Sequence, residues 1–533
     1  MPNLTPTLGL SPIADDLNGD GSPEIITVTG RLLSVMTASG EDFIRGISAC
    51  DTCPLYLDTA ESSVNTGSAN NPAALYPVPV FAEAPEAITA GPVSGRFNLG
   101  QSEKQVAIGY SVDETSGRFV TYRPADLNAD GRADQAGVSI ATIGWPIALS
   151  FGDVLWCLTD SGIVYRLDNI GINPTKTFRL DSAAYYGTCR LGPKLVVLAG
   201  DDDATHIYVC GDTVQAYTLD GAYDLGPIAV DINYDDRPEV VAFSTDGRGV
   251  YVTVDTLSVT PTFTILTQAA TGLELTTRPS AGDVDIDGRP DVLIGGRGYV
   301  YAFNGSLILK TDFPLEVDDR YPDSVMIAAA VVADIGGDDF AEAIFPSSVG
   351  NFYAYGPTPA YGFPLSSGEQ RENLSGSPAV VFHDDDGGKI GYLGGDGWFY
   401  AWEVDLDTTK MFWLMGGADP HGSFALSPDR LAEQPTFSSG FDESKYYNYP
   451  NPAREGVTRI RYYLGEEADA VTLRIYDLAG REVQKLTGAT AGGADNEVVW
   501  DCSQITTGVY RCIIDVEFPN ETTTAHTDIA VIK

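Results

Sequence analysis

Positive charge is scarce in this sequence: 32 Lys and Arg stand against 74 Asp and Glu, a formal net charge of −42 over 533 residues. Such a surface repels phosphate backbones and anionic lipid headgroups, so nucleic acid and acidic membranes are excluded as partners. Histidine is rarer still. The four copies, His206, His383, His421 and His526, lie far apart and in no HExxH-like spacing. No GxSxG, P-loop or dinucleotide fingerprint stands out, and no enzyme is expected. No apolar run reaches the roughly 18 residues that a spanning helix needs. The beginning, Met1-Pro2-Asn3-Leu4-Thr5-Pro6, has neither a basic nor an apolar segment of the signal-peptide kind. For an exported protein this start implies a mature or truncated form.

Turn formers are abundant, with 57 Gly and 32 Pro, and the runs between them are rich in Tyr, Val, Ile and Thr. That pattern makes long helices improbable and predicts an all-β chain. A hydrophobic content of 43% supplies a sizeable core. The seven cysteines are Cys50, Cys53, Cys157, Cys189, Cys210, Cys502 and Cys512. Cys189 with Cys210 and Cys502 with Cys512 sit near strand-like runs at spacings a hairpin bridges, and disulfides there would suit an oxidising compartment. Cys50-Asp-Thr-Cys53 is compatible with a strained disulfide, a redox pair or half a metal site, but there is no second CxxC to complete a zinc site. The odd count leaves a free thiol, assigned to Cys157.

Internal repetition is the strongest signal. Segments recur in which an acidic Gly-rich loop runs at once into an apolar strand. Asp16-Leu-Asn18-Gly-Asp20-Gly-Ser22-Pro-Glu24 leads to Ile25-Ile26-Thr27-Val28, and Asp283-Val-Asp285-Ile-Asp287-Gly-Arg289-Pro-Asp291 to Val292-Leu293-Ile294. Asp231-Ile-Asn233-Tyr-Asp235-Asp-Arg237-Pro-Glu239 leads to Val240-Val241-Ala242-Phe243, while Asp126-Leu-Asn128-Ala-Asp130-Gly-Arg132-Ala-Asp134 has a weaker strand. A fifth copy keeps Asp334, Asp338 and Glu342 but has Gly336 in third place. Arg96 to Lys104 holds the frame with cations at both ends and is not expected to bind metal. Aromatic strands follow most loops, as in Tyr299-Val300-Tyr301-Ala302-Phe303 and Phe399-Tyr400-Ala401-Trp402. Loop starts at 231, 283, 334 and 384 are 52, 51 and 50 residues apart, the length of one four-stranded blade.

These D-x-[DN]-x-D-G-x-x-[DE] loops resemble the FG-GAP/VCBS repeats of integrin α-like and bacterial surface β-propellers. The resemblance covers roughly residues 10 to 425 and implies a β-propeller, with a solenoid as the alternative architecture; counting the aromatic strands gives eight blades, with seven as the alternative count. Phe412-Trp413-Leu414-Met415, with Asp419 and His421, is similar to the closing segment of bacterial members.

An ordinary Asp-Gly turn needs no metal. Carboxylates crowded into nine residues repel one another, however, at about 4 kcal/mol per close pair at 4 Å and an effective dielectric of 20. Calcium, a hard cation taking six to eight oxygens, relieves this. Side chains at positions 1, 3, 5 and 9 and the carbonyl at position 7 are the expected ligands, with Gly at position 6 making the turn. In order, they are Asp16, Asn18, Asp20, Ser22 and Glu24; Asp126, Asn128, Asp130, Arg132 and Asp134; Asp231, Asn233, Asp235, Arg237 and Glu239; and Asp283, Asp285, Asp287, Arg289 and Asp291. The reduced copy offers Asp334, Asp338 and Glu342. The ions are expected to lock loops rather than do chemistry.

Residues 428–445 read as a linker between a propeller at 1–427 and a small domain at 446–533. In the latter, Val471, Leu473 and Ile475 alternate with Thr472, Arg474 and Tyr476, as in an Ig-like β-sandwich. Tyr449-Pro450-Asn451-Pro452-Ala453, Ile475 to Val483, Trp500-Asp501, Gly508-Val509-Tyr510 and Ile529 to Lys533 resemble the C-terminal sorting domains of type IX secretion cargo and FlgD-like Ig modules. The resemblance implies export by secretion machinery through residues 446–533, to the cell surface or beyond. The expected role is a calcium-binding surface module that binds an extracellular protein or glycan or acts as a scaffold. A polysaccharide lyase-like propeller and a structural surface-assembly subunit are the alternatives.

Overall fold

The structure is a computed structural model. It describes residues 10–533 apart from 30–31, 39–86, 97–103, 124–134, 153, 169–172, 202–203, 234–236, 256–261, 286–287, 311–312, 317–327, 337–340, 348–350, 357–359, 361, 367–378, 394–398, 432–440, 450, 454–455, 465–467, 491–493 and 519–521. The chain is all-β and divides into two compact units. The first comprises Met1–Ala302 with Asp312–Ala432, the second Phe303–Thr311 with Glu433–Lys533. Among the described residues no helix is long and apolar enough to cross a membrane.

Among the described residues the first unit has eight antiparallel sheets in chain order. Their first strands are Ile13–Asp15, Ala87–Gly95, Pro146–Phe151, Ala184–Leu191, Ile228–Val230, Ser280–Gly282, Val331–Ala333 and Val380–Asp384. Each sheet continues as a meander whose next strand hydrogen-bonds to the one before. The aromatic runs supply the third strand in several sheets, as in Tyr299–Phe303, Asn351–Tyr355 and Phe399–Val404. Second strands such as Glu239–Phe243 and Asp291–Gly295 are buried along their whole length, which explains their unbroken apolar runs. The apolar cores lie between successive sheets. Leu149, Phe151 and Cys157 of the third sheet pack with Ala90, Val93 and Phe119 of the second. Trp156 and Val164 pack with Leu195 and Val197 of the fourth. Ile13 and Ile25 of the first sheet share one core with Ile88 and Val106 of the second and with Val380 and Phe382 of the eighth.

The segment Lys410 to Leu426 follows the eighth sheet and passes from one first strand to the next. Trp413 pairs with Val332, and the Val381 amide donates to Leu414 O at 2.8 Å. The Gly416 amide donates to Ser11 Oγ at 3.2 Å, next to the first sheet. The amides of Ser94, Phe151, Arg190 and Ala229 then donate to Pro420 O, His421 O, Ser423 O and Phe424 O at 2.8, 2.7, 2.8 and 2.9 Å. Seven of the eight first strands, or the residues beside them, are therefore bonded in cyclic order. The sixth is reached by packing: a Cβ on Gly282 would lie 3.0 Å from Phe412 Cβ. Gly422 turns the path at φ +61°, where a Cβ would come within 2.8 Å of Val93 Cγ1.

The second unit holds a three-stranded sheet, Phe441–Tyr449, Val457–Leu464 and Ala494–Asp501. Its companion has four strands in the order Glu482–Gly488, Ala470–Tyr476, Gly508–Glu517, Thr522–Val531. Val471, Leu473 and Ile475 face the core as their alternation predicts, beside Trp500, Tyr510 and Ile514. The strand Phe441–Tyr449 starts inside the stretch read as a linker.

Two cysteine expectations are corrected. The described cysteines, Cys157, Cys189, Cys210, Cys502 and Cys512, are all buried free thiols. Cys189 and Cys210 sit on strands separated by Lys194–Gly200, opposite the adjacent residues Val196 and Leu195. Two strand spacings put their backbones about 10 Å apart, beyond the roughly 7 Å limit for a disulfide, and they face opposite sides of the sheet. Cys502 directly follows the strand Ala494–Asp501 of the three-stranded sheet, whereas Cys512 lies in Gly508–Glu517 of the four-stranded sheet, so the two do not share a hairpin. Cys157 is free as expected, while Cys50 and Cys53 lie outside the described residues.

Candidate metal centre

Four of the acidic loops share one construction. Each joins the first and second strands of its sheet, and the residue before the loop pairs with the acid at position 9. The pairs are Asp15 with Glu24, Val230 with Glu239, Gly282 with Asp291, and Ala333 with Glu342. In each, the position 2 amide donates to that acid: Leu17 to Glu24 at 2.8 Å, Ile232 to Glu239 at 3.1 Å, Val284 to Asp291 at 3.3 Å and Ile335 to Glu342 at 2.8 Å. The position 2 side chains are apolar and buried, so they anchor the loop in the core while their amides hold the carboxylate. All four position 9 acids are buried. A buried carboxylate is costly to keep charged unless hydrogen bonds or a nearby positive charge compensate it.

At the Asp283 loop the acids converge. Asp283, Asp285 and Asp291 each offer a carboxylate oxygen, all within 4.8 Å of one another. Two ligands on one calcium ion at 2.3–2.6 Å cannot be more than about 5.2 Å apart, so this set fits around a single ion. Asp283 and Asp291 are fully buried, and the Gly288 amide donates to Asp283 Oδ2 at 2.7 Å. Gly288, at position 6, has the expected positive φ of 85°. Among the described residues no other three Asp, Glu, His or Cys residues gather so closely. Arg289 is half-buried in the same loop, and Asp287 lies outside the described residues.

The Asp16 loop is wound on its own amides. Asp16 accepts from Gly19, Asp20 and Gly21, Asn18 accepts from Asp20, and Asp20 accepts from Ser22 at 2.8 Å. Its acids do not form a set as close as that at Asp283. Burial pushes the Glu24 carboxyl up to about 8, with Asp20, Asp16 and Asp15 adding to the effect and the Leu17 amide opposing it. In the Asp231 loop, Glu239 also accepts from Asn233 Nδ2 at 3.2 Å and Thr253 Oγ1 at 3.1 Å. Asp231 is buried and Arg237 exposed, with Asp235 outside the described residues. All five residues of the Asp126 copy (Asp126, Asn128, Asp130, Arg132 and Asp134) lie outside them too. That copy falls between Ser116–Arg123 and Gln135–Ile143, the third and fourth strands of its sheet, and so differs in place from the others.

The Asp334 loop has a different counter-charge. Lys410, 76 residues onward, places Nζ 2.8 Å from Asp334 Oδ2 and 3.4 Å from Asp407 Oδ2. Glu342 is buried there and Asp338 lies outside the described residues. Where the third-position ligand is missing, an ammonium group thus stands beside the first. Lysines also pair with acids in two other sheets. Lys389 bonds Asp384 in the eighth sheet, and Lys104, from the cationic Arg96–Lys104 loop, bonds Asp15 at 2.5 Å. Nothing local in the sequence pairs Lys410 with Asp334. A lysine just before the aromatic run Met411–Trp413 was the available signal.

Two of the four histidines have structural partners. His206 lies between Asp201 at 2.9 Å and Thr218 at 3.0 Å, and His421 Nδ1 is 2.7 Å from Ser94 O.

Residues 448–526 match the family described as the secretion system C-terminal sorting domain. A domain of this kind directs export to the cell surface or the extracellular space. No curated protein matches the chain. Among solved structures, the chain is similar to PorZ, a surface component of the type-IX secretion system of Porphyromonas gingivalis. The identity is 13%, over 96% of this chain and 69% of PorZ, with a TM-score of 0.35. It is also similar to the computationally designed Ika8 protein (14%, 62% and 88%, TM-score 0.40) and to BBS1N in complex with ARL6DN (12%, 60% and 93%, TM-score 0.38).

Proposed function

We propose that the first unit is a closed eight-bladed β-propeller of the FG-GAP/VCBS kind, stiffened by calcium in its acidic loops. The second unit, an Ig-like sandwich, delivers it to the cell surface, where it acts as a binding or scaffold module for an extracellular protein or glycan. Ring closure is supported by the core shared between the eighth, first and second sheets, and by the cyclic path of Lys410 to Leu426 over the first strands.

The observation that carries the calcium reading is the convergence of Asp283, Asp285 and Asp291. An oxygen-only donor set on a glycine turn suits a hard cation, and calcium tolerates its irregular geometry better than magnesium. The ion would neutralise carboxylates that the fold has already desolvated. Asp283, Asp285, Asp291 and the Arg289 carbonyl would hold it, with Asp16, Asn18, Asp20, Ser22 and Glu24, and Asp231, Asn233 and Glu239, forming weaker sites. The Asp334 loop is not assigned an ion, since Lys410 stands beside it.

Equilibrium dialysis of chelator-stripped protein against calcium tests this. Saturable binding is expected, and replacing Asp283, Asp285 and Asp291 together by Asn should lower the stoichiometry by one. Absence of saturable binding in the wild-type protein would end the calcium reading.

A further inference from the structure

The sequence pieces that carry the sorting-domain resemblance are scattered over 85 positions, from Tyr449 to Lys533. The strand register brings them to one end of the second unit. Tyr476 is opposite Arg511, and Arg511 is opposite Asp528. The Asp477–Gly480 turn therefore lies level with Gly508-Val509 and with Ala530 to Ile532. In the other sheet Val457 pairs with Asp501, and the Cys502 amide donates to Gly456 O at 2.8 Å. Asn451 and Ala453 join the two sheets at this end. Asn451 Oδ1 accepts from the Ala530 amide at 2.9 Å, its Nδ2 donates to Asp528 O at 3.0 Å, and the Ala453 amide donates to Ala530 O at 2.7 Å.

The same end carries the exposed large apolar side chains of the unit among the described residues. They are Leu478 at 86% exposure, Val499 at 49%, Val509 at 44%, Val457 at 39% and Ile532 at 38%. The opposite end, around Ala470, Glu517 and Thr522, has none of them. Leu478 is displayed on a rigid turn. Asp477 Oδ1 accepts from the Ala479 and Arg481 amides at 2.9 and 3.0 Å, Asp477 Oδ2 accepts from Arg481 Nε at 2.8 Å, and Gly480 takes φ +77°. A turn whose backbone is held in this way needs little further ordering when a partner covers Leu478.

The acidic excess is somewhat smaller here: residues 446–533 hold eight Lys and Arg against thirteen Asp and Glu, where the whole chain has 32 against 74. At the pole itself Asp477 pairs with Arg481, and Arg511 with Asp528. Exposed apolar side chains beside paired charges suit an interface with an apolar centre and a polar rim.

We propose that this pole is the docking surface through which the export machinery engages the chain. Leu478 and Val509 are its central anchors, and the partner is a secretion-system protein offering an apolar cleft. The inference rests on the sorting-domain reading and adds which surface is read. Asn451-Pro452-Ala453 positions it by holding Asp528 to Ile532 in place.

The test expresses the full chain in a bacterium that has the secretion system and measures delivery to the cell surface. Leu478→Glu with Val509→Glu should reduce delivery about tenfold or more, as loss of interface anchors does. The purified variant should melt as the wild type does, both side chains being solvent-exposed. Thr522→Glu, at the opposite end, should be delivered normally. Normal delivery of the double variant, while deletion of residues 433–533 abolishes export, would overturn the pole inference alone. Normal export of the deletion itself would remove the sorting reading and the inference with it.

Discussion

Replacing Lys410 by Met tests whether a built-in ammonium does at the Asp334 loop what an ion is proposed to do at Asp283. Asp334 is fully buried, and Lys410 Nζ lies 2.8 Å from its Oδ2. At an effective dielectric of 20, two unit charges at that distance attract by about 6 kcal/mol before desolvation is counted. Removing one member of such a pair leaves a buried uncompensated charge, which costs about 3–5 kcal/mol. Lys410→Met should therefore lower the urea midpoint of the first unit markedly. Lys410→Met with Asp334→Asn should recover much of the loss, because the orphaned charge goes too. The hydrogen bond to Asp334 raises the lysine's pKa above its ordinary 10.5. Its contribution is thus complete below that value and disappears as pH rises through the higher folded one. Urea unfolding followed by tryptophan fluorescence, with all three proteins in chelator, is the assay. A single variant as stable as the wild type, or a double variant no better than the single, would refute the counter-charge argument.

Two further outcomes are expected. Asn451→Ala removes hydrogen bonds to Ala530 and Asp528, at about 0.5–1.5 kcal/mol each, so the Ala530 amide should exchange its hydrogen much faster while the core around Leu473 stays protected. Burial holds the thiols of Cys189, Cys210 and Cys512 up at about 12, so a disulfide-exchange reagent at about pH 8 should leave them unmodified in the folded protein and label them in urea.

Much of the fold was legible because its signals are local. The acidic loop followed by an apolar run marks the passage from first to second strand, and the position 9 acid opens that second strand in all four described cases. The alternation at Val471, Leu473 and Ile475 gave the core face of the second unit directly. What could not be read depends on pairings distant in sequence. The disulfide expectation failed because spacing does not reveal that Cys189 and Cys210 flank a central strand. The Asp126 copy lies outside the described residues, and a motif by itself does not carry its position in the meander. Lys410 was missed because its partner lies 76 residues away. The pole of the second unit emerges only from register, which brings five separate pieces to one end.

The measurement that bears most directly on the acidic loops is thermal melting of the chelator-stripped protein as calcium is added back. Ligand bound only by the folded state stabilises it by about 2.7 kcal/mol at a hundredfold excess over the dissociation constant. The melting temperature should climb with calcium and level off, with the Asp283, Asp285 and Asp291 triple Asn variant starting higher in chelator and responding less. A wild-type curve that does not move between chelator and saturating calcium would contradict the account.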